Sequence, residues 1–127
     1  MYTIVLQKNP TNKQKYRATF PNGDYVDFGL RGYSDYTLHK NPLRMRSYVS
    51  RHAGKIPSKI MNMDEPQRVH KEMLKVNKSS REKWGKNGIK TAGFWSRWLL
   101  WSQPSVRGAI RTIENKFNVK IKNARGQ

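Results

Sequence analysis

Cysteine is absent from this 127-residue chain, so neither a disulfide framework nor a thiolate metal site can form, and nothing marks an oxidising compartment. Acidic side chains are scarce: eight Asp and Glu stand against 26 Lys and Arg, a formal charge of +18. Apolar residues make up 35% of the chain, below the ~45–50% usual in soluble domains. No run approaches the ~20 apolar residues that span a bilayer. The opening Met1-Tyr2-Thr3-Ile4-Val5-Leu6 has a short apolar run and no basic leader, so a secretory signal is not expected and the protein is read as intracellular.

The residues that carry chemistry are also few or badly spaced. His39, His52 and His70 include no i, i+4 pair, the helical spacing that puts two imidazoles on one metal. Asp24 and Asp27 stand at odd spacing, on opposite faces of a strand, and Glu114-Asn115-Lys116 has no acidic partner near it in sequence, so a carboxylate cluster for Mg²⁺ is not expected. No Ser has an evident base or orienting acid. Gly29 and Gly32, and Gly85, Gly88 and Gly93, match neither nucleotide-binding fingerprint. The expectation is therefore no catalytic residue, no metal, no cofactor, no small-molecule substrate and no enzyme, with a degenerate nuclease built on Asp24 or Glu114 as the remaining catalytic alternative.

What the chain does have is one concentrated apolar block, Gly88 to Pro104, in which Phe94, Trp95, Trp98, Leu99 and Trp101 crowd together and hold three of the four Trp. Phe94, Trp98 and Trp101 fall at i, i+4, i+7 and Trp95 with Leu99 at i, i+4, so a helix capped by Thr91 and stopped by Pro104 would have two apolar faces. Such a block is buried in its own core, in a protein partner or in a membrane surface. Its own core is favoured, with these five residues as the packing or interface set.

The remaining pattern predicts a single α+β domain over residues 1–127: a small N-terminal antiparallel β-meander packed on three to four helices, with a short C-terminal edge strand. Tyr2 to Leu6 reads as a strand, followed by a polar connection through Asn9 to Asn12. Lys15 to Gly29 reads as a hairpin. A two-residue Asn22-Gly23 turn would set Ala18 against Asp27, whereas a three-residue Pro21-Asn22-Gly23 loop pairs Ala18 with Val26 and Tyr16 with Phe28, giving one apolar face; the second register is preferred. Ser34 or Asp35 can cap a short helix, and Asn41-Pro42 opens another that ends at Gly54. Residues 55–83 carry a narrow seam of Val69, Met73 and Val76 among many cations and read as a partly helical excursion from the core. Ser105 caps a last helix with Val106, Ile110, Ile113 and Phe117 at helical spacing, Asn118 ends it, and Val119 to Lys122 alternates as an edge strand guarded by Lys.

From Lys83 to Gln127 ten cations face a single acid, Glu114. Lys86, Lys90, Arg97, Arg107, Arg111, Lys116, Lys120 and Lys122 are therefore read as polyanion-facing, and Arg125 belongs to the same cationic run. Arg97, alone inside the apolar block, needs a named partner if it is buried.

Gly32 to Lys40, Ser50-Arg51-His52 and above all Gly88 to Pro104 resemble the small basic proteins of the large nucleocytoplasmic DNA viruses of algae and amoebae, a family of uncharacterised function. The resemblance covers roughly 15–53 and 84–121 and supplies no catalytic residues. It implies a large icosahedral particle with an internal membrane and packaged DNA. On that basis a structural virion protein is expected, a minor capsid protein inside the shell that bridges major and other minor capsid proteins through aromatic and basic surfaces, made in the infected cell and not secreted. A sequence-nonspecific DNA-binding or condensing virion protein is the alternative, and the anionic internal membrane is a further candidate neighbour.

Overall fold

Strand alternation sets the sheet. In the computed structural model, which describes residues 3–11 and 13–123, Ile4 and Leu6 of β1 (Thr3–Lys8), Ala18 of β2 (Gln14–Thr19), Val26 and Phe28 of β3 (Tyr25–Leu30) and Ile121 of β4 (Lys120–Asn123) are all buried on one face. Tyr2 and Asn12 of the first strand and connection, and Arg125 of the cationic run, lie outside the described residues, as does Met1. The strand order is β3-β2-β1-β4, with β1 antiparallel to β2 and parallel to β4. The fold is α+β, as the pattern predicts; the parallel seating of the C-terminal edge strand is what the pattern does not specify.

The hairpin takes the three-residue loop. Tyr16 pairs with Phe28 and Ala18 with Val26, the Phe20 amide donates to the Asp24 carbonyl at 2.8 Å, and Gly23 holds φ +93°, the left-handed position that glycine occupies without a side-chain clash. The Asn22-Gly23 alternative would have turned the apolar set to the wrong face.

The helices begin and end where their caps fall. Asp35 caps α1 (Tyr36–His39), and Asn41 accepts from the Leu43 amide to cap α2 (Pro42–Ala53), which Gly54 closes at φ +90°. α3 (Ser58–Met61) and α4 (Pro66–Leu74) follow. α4 packs on α2, and Val69 and Met73 are fully buried with Tyr36, Met45, Val49, Ala53 and Trp84 in a hydrophobic cluster of their own. The seam of 55–83 is narrow, but a matching seam on α2 covers it, in a cluster separate from the one that buries the sheet and the Trp block.

The Trp block forms α5 (Ala92–Trp95), capped by Thr91, and then widens into a π-helical turn over Ser96–Leu100 instead of running on as one α-helix. The wider turn brings four consecutive residues, Arg97, Trp98, Leu99 and Leu100, into the interior together, which an α-helix of constant pitch exposes in part. α6 (Val106–Phe117), capped by Ser105 and ended by Asn118 in the left-handed conformation, lays Ala109, Ile113 and Phe117 onto the same core. Phe94, Trp95, Trp98 and Leu99 thus sit between the sheet and α6. Trp101 is only partly buried and touches both hydrophobic clusters.

Candidate functional site

Buried tryptophans need partners for their indole N–H groups, and nearby carbonyls and one carboxylate supply them. Trp95 Nε1 donates to the Ile89 carbonyl at 2.7 Å and Trp98 Nε1 to the Trp84 carbonyl at 2.8 Å, while Trp84 Nε1 donates to Glu82 Oε1 at 2.8 Å. These aromatic residues are therefore committed to the interior. The sole member of the set with exposed surface is Trp101, whose ring lies flat on Tyr48, 4.2 Å between centroids and 2° between planes.

Arg97 does not face a polyanion. Its side chain is fully buried, and it sits over the Trp98 ring with its guanidinium carbon 4.6 Å from the centroid. Nη1 donates to the Trp101 carbonyl at 2.5 Å, and Nη2 to the carbonyls of Met73 at 2.6 Å and Val76 at 3.0 Å. The Met73 carbonyl belongs to the last turn of α4 and the Val76 carbonyl lies two residues past its end, where the helix dipole favours a cation; the Met73 carbonyl also accepts from the Val76 amide at 3.1 Å. Burial works against the charge and pushes the guanidinium down to about 9, which still leaves it protonated at neutral pH. The sequence pattern hid this because an arginine among tryptophans is equally compatible with an exposed edge.

The other cations of the predicted set lie outside, in four places. Arg107 and Arg111 are exposed on α6 and line a shallow groove against β4, with Val106, Ile110 and Ile121 as its apolar floor. The groove's acid, Glu114, is occupied by the Ile121 amide at 2.9 Å. Lys120 and Lys122 are exposed on β4 itself. Lys116 sits on another side of α6 with its ammonium 5.0 Å from the Trp98 ring centroid. Lys86 precedes the Trp block and Lys90 lies at its start; Lys90 is matched by Asp24 at 2.9 Å, which together with Asn22 holds that carboxyl below its ordinary range. The structure does not gather these residues into one patch.

A second site was not singled out from the sequence. A cleft of about 510 Å³ opens between the turn after β3, α2 and the Trp block. The turn contributes Leu30, Tyr33 and Asp35, α2 contributes Arg44, Tyr48 and Arg51, and the far wall is Ser96, Leu100 and Trp101. Tyr48, Arg44 and Arg51 recur at i, i+4, i+7 along α2, a spacing that in hindsight marks one helix face. Gly29 lets β3 approach the far wall, for a Cβ there would meet Leu100 Cδ1 at 2.9 Å and its φ of +78° suits glycine.

Two further carboxylates, Asp27 and Asp35, are held in ion pairs. Asp27 pairs with Arg17 through two bonds of 2.7 and 3.0 Å, which lower its carboxyl below the usual range, and Asp35 pairs with Lys15 at 2.6 Å. No group of three His, Asp or Glu able to hold a metal ion occurs among the described residues. No helix among them is long and apolar enough to cross a membrane.

Comparison with protein families gives a match over part of the chain. Residues 4–52, less than half of the chain, are similar to the Family of unknown function (DUF5754). That segment carries the whole hairpin, α1 and most of α2, and with them most of the cleft's lining, from Lys15 to His52. No curated protein and no solved structure matches the chain.

Proposed function

We propose that the chain is a non-catalytic virion protein that binds nucleic acid through its cationic exterior, without sequence preference, in particles of the kind the family resemblance implies. The observation that carries this reading is the division of labour in the fold: Phe94, Trp95, Trp98 and Leu99 are fully buried, so the aromatic block offers little to a partner, whereas most of the 26 cations lie outside it and face only a handful of acids. A charge of +18 on a small body repels itself and is relieved by a polyanion, the phosphate backbone being the densest.

A minor capsid protein on the inner side of the shell, docked on acidic capsid surfaces, is the second reading. It is favoured by the exposed apolar side chains of Leu30, Tyr33 and Leu38 around α1, which would suit a protein neighbour.

The two are separated by binding to duplex DNA across a salt series and by particle fractionation. Affinity that falls steeply with salt, with a slope reduced by about 0.9 for each phosphate contact removed in Arg107→Gln or Arg111→Gln, supports the nucleic-acid reading. Absence of duplex binding at low salt, together with retention in DNA-free shells at fixed stoichiometry, would overturn it in favour of the capsid role.

A further inference from the structure

The cleft beside α2 holds exposed chemistry that the fold does not use. Tyr33 is 67% exposed and Leu30 54%, and Arg44 and Arg51 are exposed on the rim of the same cleft. The side chains of Tyr33, Arg44 and Arg51 make no hydrogen bond or ion pair among the described residues. The acid of the cleft is already spent: Asp35 is buried, receives Lys15 at 2.6 Å and accepts from the Thr37 amide at 2.9 Å. Glu82, behind His52, receives that ring at 3.0 Å and the Trp84 indole at 2.8 Å. The rim is therefore left with two uncompensated guanidiniums beside an unpartnered aromatic ring.

We propose that this cleft binds an unpaired segment of nucleic acid, one base stacking on Tyr33 while Arg44 and Arg51 take phosphates of the same strand. The proposal rests on the nucleic-acid reading above and adds to it a place and a strand state. Arg44 and Arg51 are separated by about 10 Å along the helix axis, far enough apart to take different phosphates of one strand. Arginine forks fit phosphate oxygens, and aromatic faces accept any base. A duplex keeps its bases stacked inside and offers the cleft phosphates alone, which leaves Tyr33 and Leu30 in water. An acidic peptide would satisfy the two arginines and likewise give Tyr33 nothing to stack on. Tyr48 is not the platform, because its two faces are covered by Trp101 at 4.2 Å and His52 at 4.0 Å.

Binding of labelled oligothymidine of about ten nucleotides, a duplex of the same length and poly-glutamate to the full chain tests it. Tyr33→Ala is expected to weaken oligothymidine binding by about 5- to 150-fold and to leave duplex binding unchanged, while Tyr33→Phe retains it. Arg44→Gln with Arg51→Gln is expected to reduce the single-strand salt slope by about 1.4, at about 0.7 per phosphate. If oligothymidine binds but neither set of variants changes its affinity or slope, the cleft proposal is overturned while the general reading stands. If poly-glutamate binds as tightly as oligothymidine and Tyr33→Ala changes neither, it is overturned in favour of an acidic protein ligand. If neither nucleic acid binds at low salt, both fall. All three side chains are exposed, so the variants fold.

Discussion

Arg97 Nη2 donates to the main-chain carbonyl of Met73 at 2.6 Å, across the boundary between the sheet-side hydrophobic cluster and the cluster formed by α2 and α4. No carboxylate takes part. The cation is held by carbonyls at the end of α4 and by the carbonyl at the end of the Trp block, so one side chain fixes how the two halves of the core meet. Replacing it with Ala strips the buried donors from these carbonyls, of which Met73's alone keeps the Val76 amide, and leaves a cavity behind, at a cost of about 3 kcal/mol or more. Arg97→Lys, which cannot span the carbonyls with a planar fork, recovers only part of that. The midpoint of urea unfolding measures both; an unchanged midpoint in Arg97→Ala would remove Arg97 from this role.

Tyr48, pressed between Trp101 and His52, has its phenol pushed up to about 12 by burial. Its folded value lies above its unfolded one, so the stability it contributes is complete below pH 10 and is lost as pH rises toward about 12. Alkaline unfolding is expected to accompany the last tyrosinate to form, and Tyr48→Phe should remove that step from the tyrosinate absorbance titration. A Tyr48 that ionises along with exposed phenols would contradict the packing.

His39 and His70 are both held below the ordinary imidazole range, chiefly by burial; Arg44 adds to the effect at His39, and His70 Nδ1 lies 2.7 Å from the Tyr36 hydroxyl. For a base with a depressed folded value, the unfolded chain binds the extra proton first, so stability falls as pH drops below about 6.5 toward the folded values. Thermal melting at about pH 7 and pH 5 should show the loss, and His70→Gln should shrink it. Equal melting temperatures in the unsubstituted protein at the two pH values would rule this out.

Gly88 is buried, and a Cβ placed on it would lie 2.1 Å from the Lys83 carbonyl oxygen. The obstacle is backbone, so it cannot rotate away. Gly88→Ala is expected to destabilise by about 1–3 kcal/mol through displacement of the turn that seats Trp84 and Trp95. Gly32→Ala serves as the comparison: its added methyl meets nothing within 4 Å, and its cost comes from φ of +88° alone. A denaturation midpoint for Gly88→Ala no lower than that of Gly32→Ala would contradict the close approach.

The hairpin was legible because an alternating face admits one register, and Pro21 with Gly23 chose it. The caps at Asn41, Thr91 and Ser105 were legible because each is a short polar side chain placed just ahead of an apolar run, whereas the structure chose Asp35 over the equally placed Ser34. The burial of Arg97 was not, since it depends on carbonyls at the end of α4, more than twenty residues earlier in the chain. The packing of 55–83 was hidden for a related reason: a narrow seam looks weak until the facing seam on α2 is known. The cleft was not legible because Tyr33, Arg44 and Arg51 lie on a turn and a helix whose juxtaposition is tertiary, whereas the densest run of cations in the sequence follows Lys83.

The parallel register of Thr3 with Lys120 places the first and last described strands side by side, with β1 interior and β4 at the edge. The polypeptide is in effect a loop closed by a noncovalent clasp. A backbone cut in the exposed stretch at Asn77-Lys78 would leave three strands on one fragment and the fourth, with the Trp block and α6, on the other. Neither piece could complete the sheet by itself, so the two are expected to act as complementing halves that regain the fold only by reassociating.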